Sequence, residues 1–207
     1  SRVFRGGEKY SDVILTLPNI SFLLDRPFYF WWLPLELQNY RFAVPENNVP
    51  RIVHAPSDTT KKGTKIILQV LDRLEEEGFE FERILIRGRP NREVRETLTG
   101  ADILADQIYS CGTAKLSLEG MACGCAVLCG LNKELQGLPD ECPAIPTETD
   151  NLYDNLKGLL NNKDKIYELA QQGRKYVEKY HDSSRVVKQL IRWIEERPKD
   201  ELIYPKK

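Results

Sequence analysis

The sequence predicts an α/β fold, a parallel sheet with helices on both faces. Short apolar runs alternate with amphipathic stretches from Arg51 onward. Turn residues separate them, and the short apolar runs read as strands. The chain's 207 residues suffice for one large domain, or one domain plus a fragment. With a formal net charge of -1, it lacks the basic balance of a nucleic-acid binder, and no nucleic-acid partner is expected. No apolar run approaches the roughly 20 residues that span a bilayer.

The elements follow in order. Arg51 to Pro56 reads as a strand ending in a turn, and Ser57 to Thr60 supplies turn and cap chemistry. A helix is predicted from Gly63 to Glu77, because Ile66, Ile67, Val70, Leu71 and Leu74 share one face, and Gly78 stops it. Phe81 to Ile86 is the next strand, 88–91 a turn, and Glu93 to Leu98 a short helix. Ala101 to Asp106 is a third strand. A helix over Lys115 to Cys123 meets Gly124, and Ala126 to Cys129 is a buried strand. A short strand is predicted at Pro143 to Pro146, then helices over 151–160, 164–180 and 184–197. Right-handed crossovers place the loops after these strands on one edge of the sheet, where ligands bind.

The first fifty residues break this rhythm. Asp12 to Leu17 reads as a strand, Phe28 to Pro34 is a dense aromatic block, and 45–50 looks like a linker. The aromatic block is either core or interdomain packing, or a surface for a partner or membrane. In the last helix Val186, Val187, Leu190, Ile191 and Ile194 form an apolar stripe that needs a partner surface.

The five cysteines lack paired metal-ligand spacing and have no neighbouring histidine, so buried free thiols are expected and a metal is not. Asn19-Ile20-Ser21 has the form of a glycosylation sequon. Neither GxxxxGK[ST] nor GxGxxG is present, which disfavours nucleotide kinases and dehydrogenases.

Candidate site residues lie at the predicted ligand edge. His54 ends a strand there and either lines the cleft or serves the core. Asp106 and Gln107 end another strand on that edge and can organise a site, whereas Asp102 reads as support for local turn structure. Glu119 is a carboxylate on a helix with apolar flanks. It suits vicinal hydroxyls because it only accepts; otherwise it is an exposed helix glutamate. His181 reads as part of a hinge or capping region.

Several of these residues stand in a recognisable order. His54-Ala55-Pro56-Ser57 is followed by Lys62-Gly63-Thr64, then by Ala101-Asp102-Ile103 leading to Asp106-Gln107. Gly112 comes next, then Glu119-Gly120-Met121-Ala122-Cys123-Gly124-x-x-Val127. The chain thereby resembles the carboxy-terminal, donor-binding half of retaining GT-B glycosyltransferases. These are the group 1 family, which also includes sucrose and glycogen synthases and bacterial mannosyltransferases. The resemblance covers about residues 51–180.

It implies a Rossmann-like domain that transfers a sugar from a nucleotide-diphosphate sugar to an acceptor hydroxyl with retention, without a cofactor or bound metal. The acceptor, whether glycan, lipid or small molecule, is left open. Donor-binding residues by this resemblance are His54, Ser57, Lys62, Asp106, Gln107, Gly112, Thr113, Lys115 and Glu119. Lys62 would neutralise the diphosphate or else be solvated, and Lys115 likewise. Gly112 and Thr113 would open the helix for phosphate, or form an ordinary turn. Glu119 would take the ribose hydroxyls.

Residues 1–50 would be the remnant of an amino-terminal lobe plus linker, 51–180 the nucleotide-sugar domain, and 181–207 a crossing helix and tail. The remainder of that lobe, or a partner subunit, would complete the cleft. A cytoplasmic location, or a peripheral one at a membrane, goes with it.

Two departures stand out. The family often carries two glutamates separated by seven residues, and here Cys111 stands where the first would be. An arginine often present before the Lys-Gly pair is replaced by Pro56-Ser57-Asp58. A non-catalytic module of the same shape that binds nucleotide or a partner, or a sugar-nucleotide epimerase, are the alternatives.

Overall fold

The computed structural model describes residues 9–109, 112–132 and 138–204, apart from the side chains of residues 18, 19 and 22. Cys111 and the side chain of the sequon's Asn19 therefore lie outside the described residues. A five-stranded parallel sheet forms the centre. Its strands are β3 (Arg51–His54), β4 (Glu82–Leu85), β5 (Ile103–Ala105), β6 (Ala126–Cys129) and β7 (Ile145–Pro146), in spatial order β4-β3-β5-β6-β7. The order reverses between β3 and β5. The crevice beyond the carboxyl ends of those two strands is where an open parallel sheet binds ligands.

Helices α1 (Thr64–Glu76), α2 (Asn91–Thr99), α3 (Lys115–Cys123), α4 (Leu152–Leu160) and α5 (Lys163–Tyr180) cover the sheet. Adjacent strand residues point to opposite faces, and two cores result. Val53, Leu104, Val127 and Cys129 pack with Leu98 of α2, Leu118 and Met121 of α3, and Tyr176 and Val177 of α5. Ile52, Ile103, Ala105, Ala126 and Leu128 pack with Ile67, Leu71 and Leu74 of α1 and Leu152, Leu156 and Leu159 of α4. This is why β3, β5 and β6 read as continuous apolar runs rather than alternating ones.

The helices predicted over 115–123 and 151–160 and the strand over 126–129 fall where expected, to within a residue. Other strands are shorter than predicted. The run 101–106 contributes only Ile103–Ala105, because Asp102 instead turns its carboxylate onto the Arg51 N–H (2.6 Å) and the Asn47 side-chain amide (2.8 Å). The strand at 143–146 is reduced to Ile145–Pro146 at the sheet edge, where Pro143 has no N–H to give. Helix α2 starts at Asn91, directly after Pro90, rather than at Glu93.

The amino-terminal region is tied to both the domain and the carboxy-terminal helix. Strand β1 (Leu15–Thr16) pairs in parallel with β2 (Tyr29–Phe30), well short of the predicted strand over 12–17. The aromatic block is packing material. The Tyr29 ring stacks on Trp193 of α6 (Ser183–Glu195), and Trp32 meets Tyr180 and His181. Phe28 pairs with Ile203, and the Tyr29 hydroxyl donates to the Pro198 carbonyl at 3.1 Å.

Leu35, Leu37 and Tyr40 join the first core, and the Ala43 N–H donates to the Cys123 carbonyl at 3.0 Å. At that contact Gly124 has φ +103, and a Cβ there would lie 2.1 Å from the Ala43 oxygen. Only glycine serves both the left-handed helix end and this close approach.

His181 sits between α5 and α6. Its Nδ1 meets the Leu33 carbonyl at 2.9 Å, and Asp182 caps α6 by accepting from the N–H groups of Ser184 and Arg185. Of the α6 stripe only Val186 is buried; Leu190 is half-buried, and Val187, Ile191 and Ile194 are exposed, while Trp193 beside the stripe is buried. Cys123, Cys125, Cys129 and Cys142 are buried and are not disulfide-bonded among the described residues. Among the described residues no helix is long and apolar enough to cross a membrane.

Candidate functional site

The loops after β3, β4 and β5 and the start of α3 enclose a cleft of about 630 Å³. Ser57, Lys62, Arg89, Asn91, Gln107, Lys115 and Glu119 supply its polar lining. It lies at the carboxyl edge of β3 and β5, where the topology reverses.

Lys62 precedes α1 and reaches across the crevice to Asp106, directly after β5. Its Nζ lies 2.6 Å from Oδ1 of Asp106. Asp106 is wholly buried, and its other oxygen accepts from the Ser117 hydroxyl of α3 at 2.6 Å. One carboxylate thus ties three segments together around the cleft floor. The Lys62 charge is already paired rather than displayed to solvent, although its side chain keeps 12 % exposure. Gly63 follows with φ +73, and a Cβ there would sit 2.4 Å from Ile108, which closes the loop after β5 onto the start of α1.

His54, read from the sequence as either a cleft or a core residue, is not among the cleft-lining residues. It is buried, with Nδ1 at 2.7 Å from the Ala105 carbonyl and Nε2 at 2.9 Å from the Thr64 hydroxyl. The carbonyl can only accept, so Nδ1 carries the proton and Nε2 accepts from Thr64. Burial lowers its pKa and keeps the ring neutral. The side chain cross-links β3, β5 and α1 beneath the site.

Gly112 is likewise not among the cleft-lining residues. Its N–H donates to the Gly130 carbonyl at 2.7 Å, and its own carbonyl accepts from the Gln107 amide at 3.1 Å. The peptide groups of Gly112 are therefore spent on closing the loop, with φ +124 at a position that favours glycine. Thr113 is half-buried and does not reach the cleft lining either. The lining resumes at Ala114. Helix α3 begins after Ala114 without a side-chain cap, and no described group accepts from the N–H groups of Lys115, Leu116 or Ser117. Ala114, Lys115 and Leu116 all line the cleft. Uncapped N–H groups aligned with the positive end of a helix favour an anion.

Glu119 lies one turn along α3, with only 3 % of its side chain exposed, and lines the same cleft. Its Oε1 accepts from the Tyr40 hydroxyl at 2.9 Å and from the Asn91 amide at 3.3 Å, and Lys115 Nζ lies 3.7 Å away. Oε2 takes no hydrogen bond from a described residue. Tyr40 and Asn91 carried no signal in the sequence. Asn91 reads there as the end of a turn, and Tyr40 is 79 residues from its partner.

A groove of similar size, about 650 Å³, runs along the β7 edge and α5. None of the sequence-predicted residues reaches it, and its Lys179 is paired with Glu141 at 2.6 Å. Among the described residues no three His, Cys, Asp or Glu side chains are grouped to hold a metal ion.

The family model described as glycosyl transferase-like matches residues 71–192, more than half of the chain, including α3 and Glu119. The chain belongs to this glycosyl transferase-like family. No curated protein matches its sequence.

Three solved structures illustrate its fold. HepE of Anabaena in complex with UDP and glucose superposes with a TM-score of 0.68 at 11 % identity, over 94 % of this chain and 66 % of that one. Sucrose-phosphate synthase from Thermosynechococcus elongatus gives 0.62 at 12 % identity, over 83 % of this chain and 53 % of that one. WaaG, a glycosyltransferase involved in lipopolysaccharide biosynthesis, gives 0.53 at 15 % identity, over 81 % and 56 %. This glycosyl transferase-like chain thus has the Rossmann-like fold of a GT-B carboxy-terminal domain, and it spans between half and two thirds of the length of these proteins.

Proposed function

We propose that this chain is the donor-binding lobe of a glycosyltransferase that takes a nucleotide-diphosphate sugar and transfers the sugar, with retention, to an acceptor hydroxyl. The observation that carries the reading is the pairing of an uncapped helix start with a buried carboxylate one turn later, both facing one cleft. The open N–H groups of α3 suit a diphosphate, and Glu119 suits the ribose hydroxyls. The uridine diphosphate bound by HepE supports the same class of ligand.

As the sugar–phosphate bond breaks, negative charge grows on the departing diphosphate. The α3 N–H groups and the Lys115 ammonium would stabilise it. Lys62 contributes through the cleft wall it builds with Asp106. No bound metal is required in this scheme. The exposed residues of the α6 stripe, Val187, Ile191 and Ile194, would pack on the remainder of an amino-terminal lobe or on a partner subunit, which would complete the acceptor side.

Cys111, where the family often has a glutamate, favours a second reading. In that reading the lobe binds nucleotide without transferring sugar, because a thiol is a poor hydrogen-bond partner for a hydroxyl.

Calorimetry with UDP, GDP and ADP tests the proposal. At least one is expected to bind, and Glu119→Ala is expected to weaken it at least tenfold. Failure of all three to bind would sink the donor-lobe assignment. Binding without turnover, once the acceptor side is supplied, would favour the second reading.

A further inference from the structure

We infer that Tyr40 is a positioning residue of the nucleotide site, which holds Glu119 so that one carboxylate oxygen, Oε2, is reserved for the ribose hydroxyls. The inference rests on the donor-lobe reading and adds a residue from outside the segment matched by the family model.

Three polar groups converge on one atom of Glu119. The Tyr40 hydroxyl, the Asn91 amide and the Lys115 ammonium all approach Oε1, at 2.9, 3.3 and 3.7 Å. A carboxylate oxygen accepts about two hydrogen bonds, so Oε1 has no capacity left for a ligand. Oε2 takes none from a described residue, and the side chain lines the cleft. The carboxylate plane is thereby set before any ligand arrives, as a preorganised site requires.

Tyr40 is itself held from several sides. It is buried, and its N–H closes a turn onto the Leu37 carbonyl at 3.0 Å. Its carbonyl accepts from the Arg174 guanidinium of α5 at 3.0 Å, and the Arg95 guanidinium of α2 stands 5.5 Å from its ring centre. Burial, together with the neighbouring Glu119 carboxylate, pushes the phenol pKa up to about 12. The hydroxyl therefore remains a donor across the physiological range. A donor gripped in this way fixes its acceptor, whereas a solvated tyrosine does not.

Ribose discrimination is the readout that a merely structural tyrosine would not move. Titrations would compare UDP, GDP and ADP with their 2′-deoxy counterparts on the wild-type chain, on Tyr40→Phe and on Asn91→Ala. Urea unfolding would confirm that each variant is folded. Wild type is expected to prefer the ribonucleotide. Tyr40→Phe is expected to lose about tenfold in ribonucleotide affinity, the scale of one hydrogen bond to a charged group. The deoxynucleotide should change less than about twofold, and Asn91→Ala should fall in the same direction by less. An equal loss for both nucleotides, or a ribose preference kept intact in Tyr40→Phe, overturns the inference and leaves the donor-lobe reading standing. No binding by wild type overturns both.

Discussion

Replacing Lys62 by methionine should destabilise the chain through Asp106, before any question of ligand arises. The pair is separated by 2.6 Å, with side-chain exposures of 12 % and 0 %. Methionine keeps the length of the stem and removes the charge. The buried carboxylate is then left with only the Ser117 hydroxyl as a side-chain partner. Removing one member of a buried pair costs about 3–5 kcal/mol. With a urea slope of about 2 kcal/mol per molar, the unfolding midpoint should drop by roughly 1.5–2.5 M.

Asp106→Asn should cost less, about 1–2 kcal/mol, because Lys62 borders the cleft and can turn toward water. The double variant removes both charges and keeps an acceptor for Ser117. It should be more stable than Lys62→Met alone, with a coupling of at least about 2 kcal/mol in the cycle. Equilibrium urea unfolding of the four proteins is the assay. A Lys62→Met protein within about 1 kcal/mol of wild type would refute the reasoning, as would a double variant no more stable than that single one. Nucleotide affinity is best compared in the double variant, where loss of the charge is separated from loss of the fold.

Other outcomes follow from the same structure. Gly124→Ala places a methyl group on the Ala43 carbonyl and forces a left-handed backbone. It should cost about 3 kcal/mol or more, and reduce nucleotide affinity by shifting the segment that carries Tyr40. His181 has its pKa lowered to about 4 by burial. Because the unfolded chain takes up this proton at higher pH than the folded one, stability should fall as pH drops from about 6.5 to 4, by up to about 3 kcal/mol. His181→Phe should flatten that part of a pH series of thermal midpoints. Burial raises the thiol pKa values of Cys123 and Cys129 to about 11 and about 12. Mass spectrometry after brief treatment with a thiol reagent at neutral pH should leave both unmodified until urea is added.

The legible parts of this molecule are those whose physics is local. Gly124 announces the end of α3, and the apolar run 126–129 has no helical alternative of sufficient length, so that helix and strand were readable to the residue. Strand ends were not, because they depend on partners. Asp102 leaves the strand pattern because of Arg51 and Asn47, both distant in sequence. The site divides in the same way. The burial of Glu119 was readable from its apolar flanks. His54 was ambiguous because its role is set by Ala105 and Thr64, which only the sheet brings to it. Tyr40 was silent, since nothing near it in the chain marks a tyrosine that will meet a carboxylate 79 residues later.

The contacts of β2 with the carboxy-terminal tail also bear on how this chain is made. The Tyr29 hydroxyl finds the Pro198 carbonyl across 169 residues of sequence, and Phe28 pairs with Ile203. During synthesis at roughly 5–20 residues per second, Tyr29 waits about 8–34 s before that partner has been translated. Through that interval the Tyr29 hydroxyl lacks this acceptor. The contacts that seal β2 therefore cannot form until every strand and helix between them has been translated.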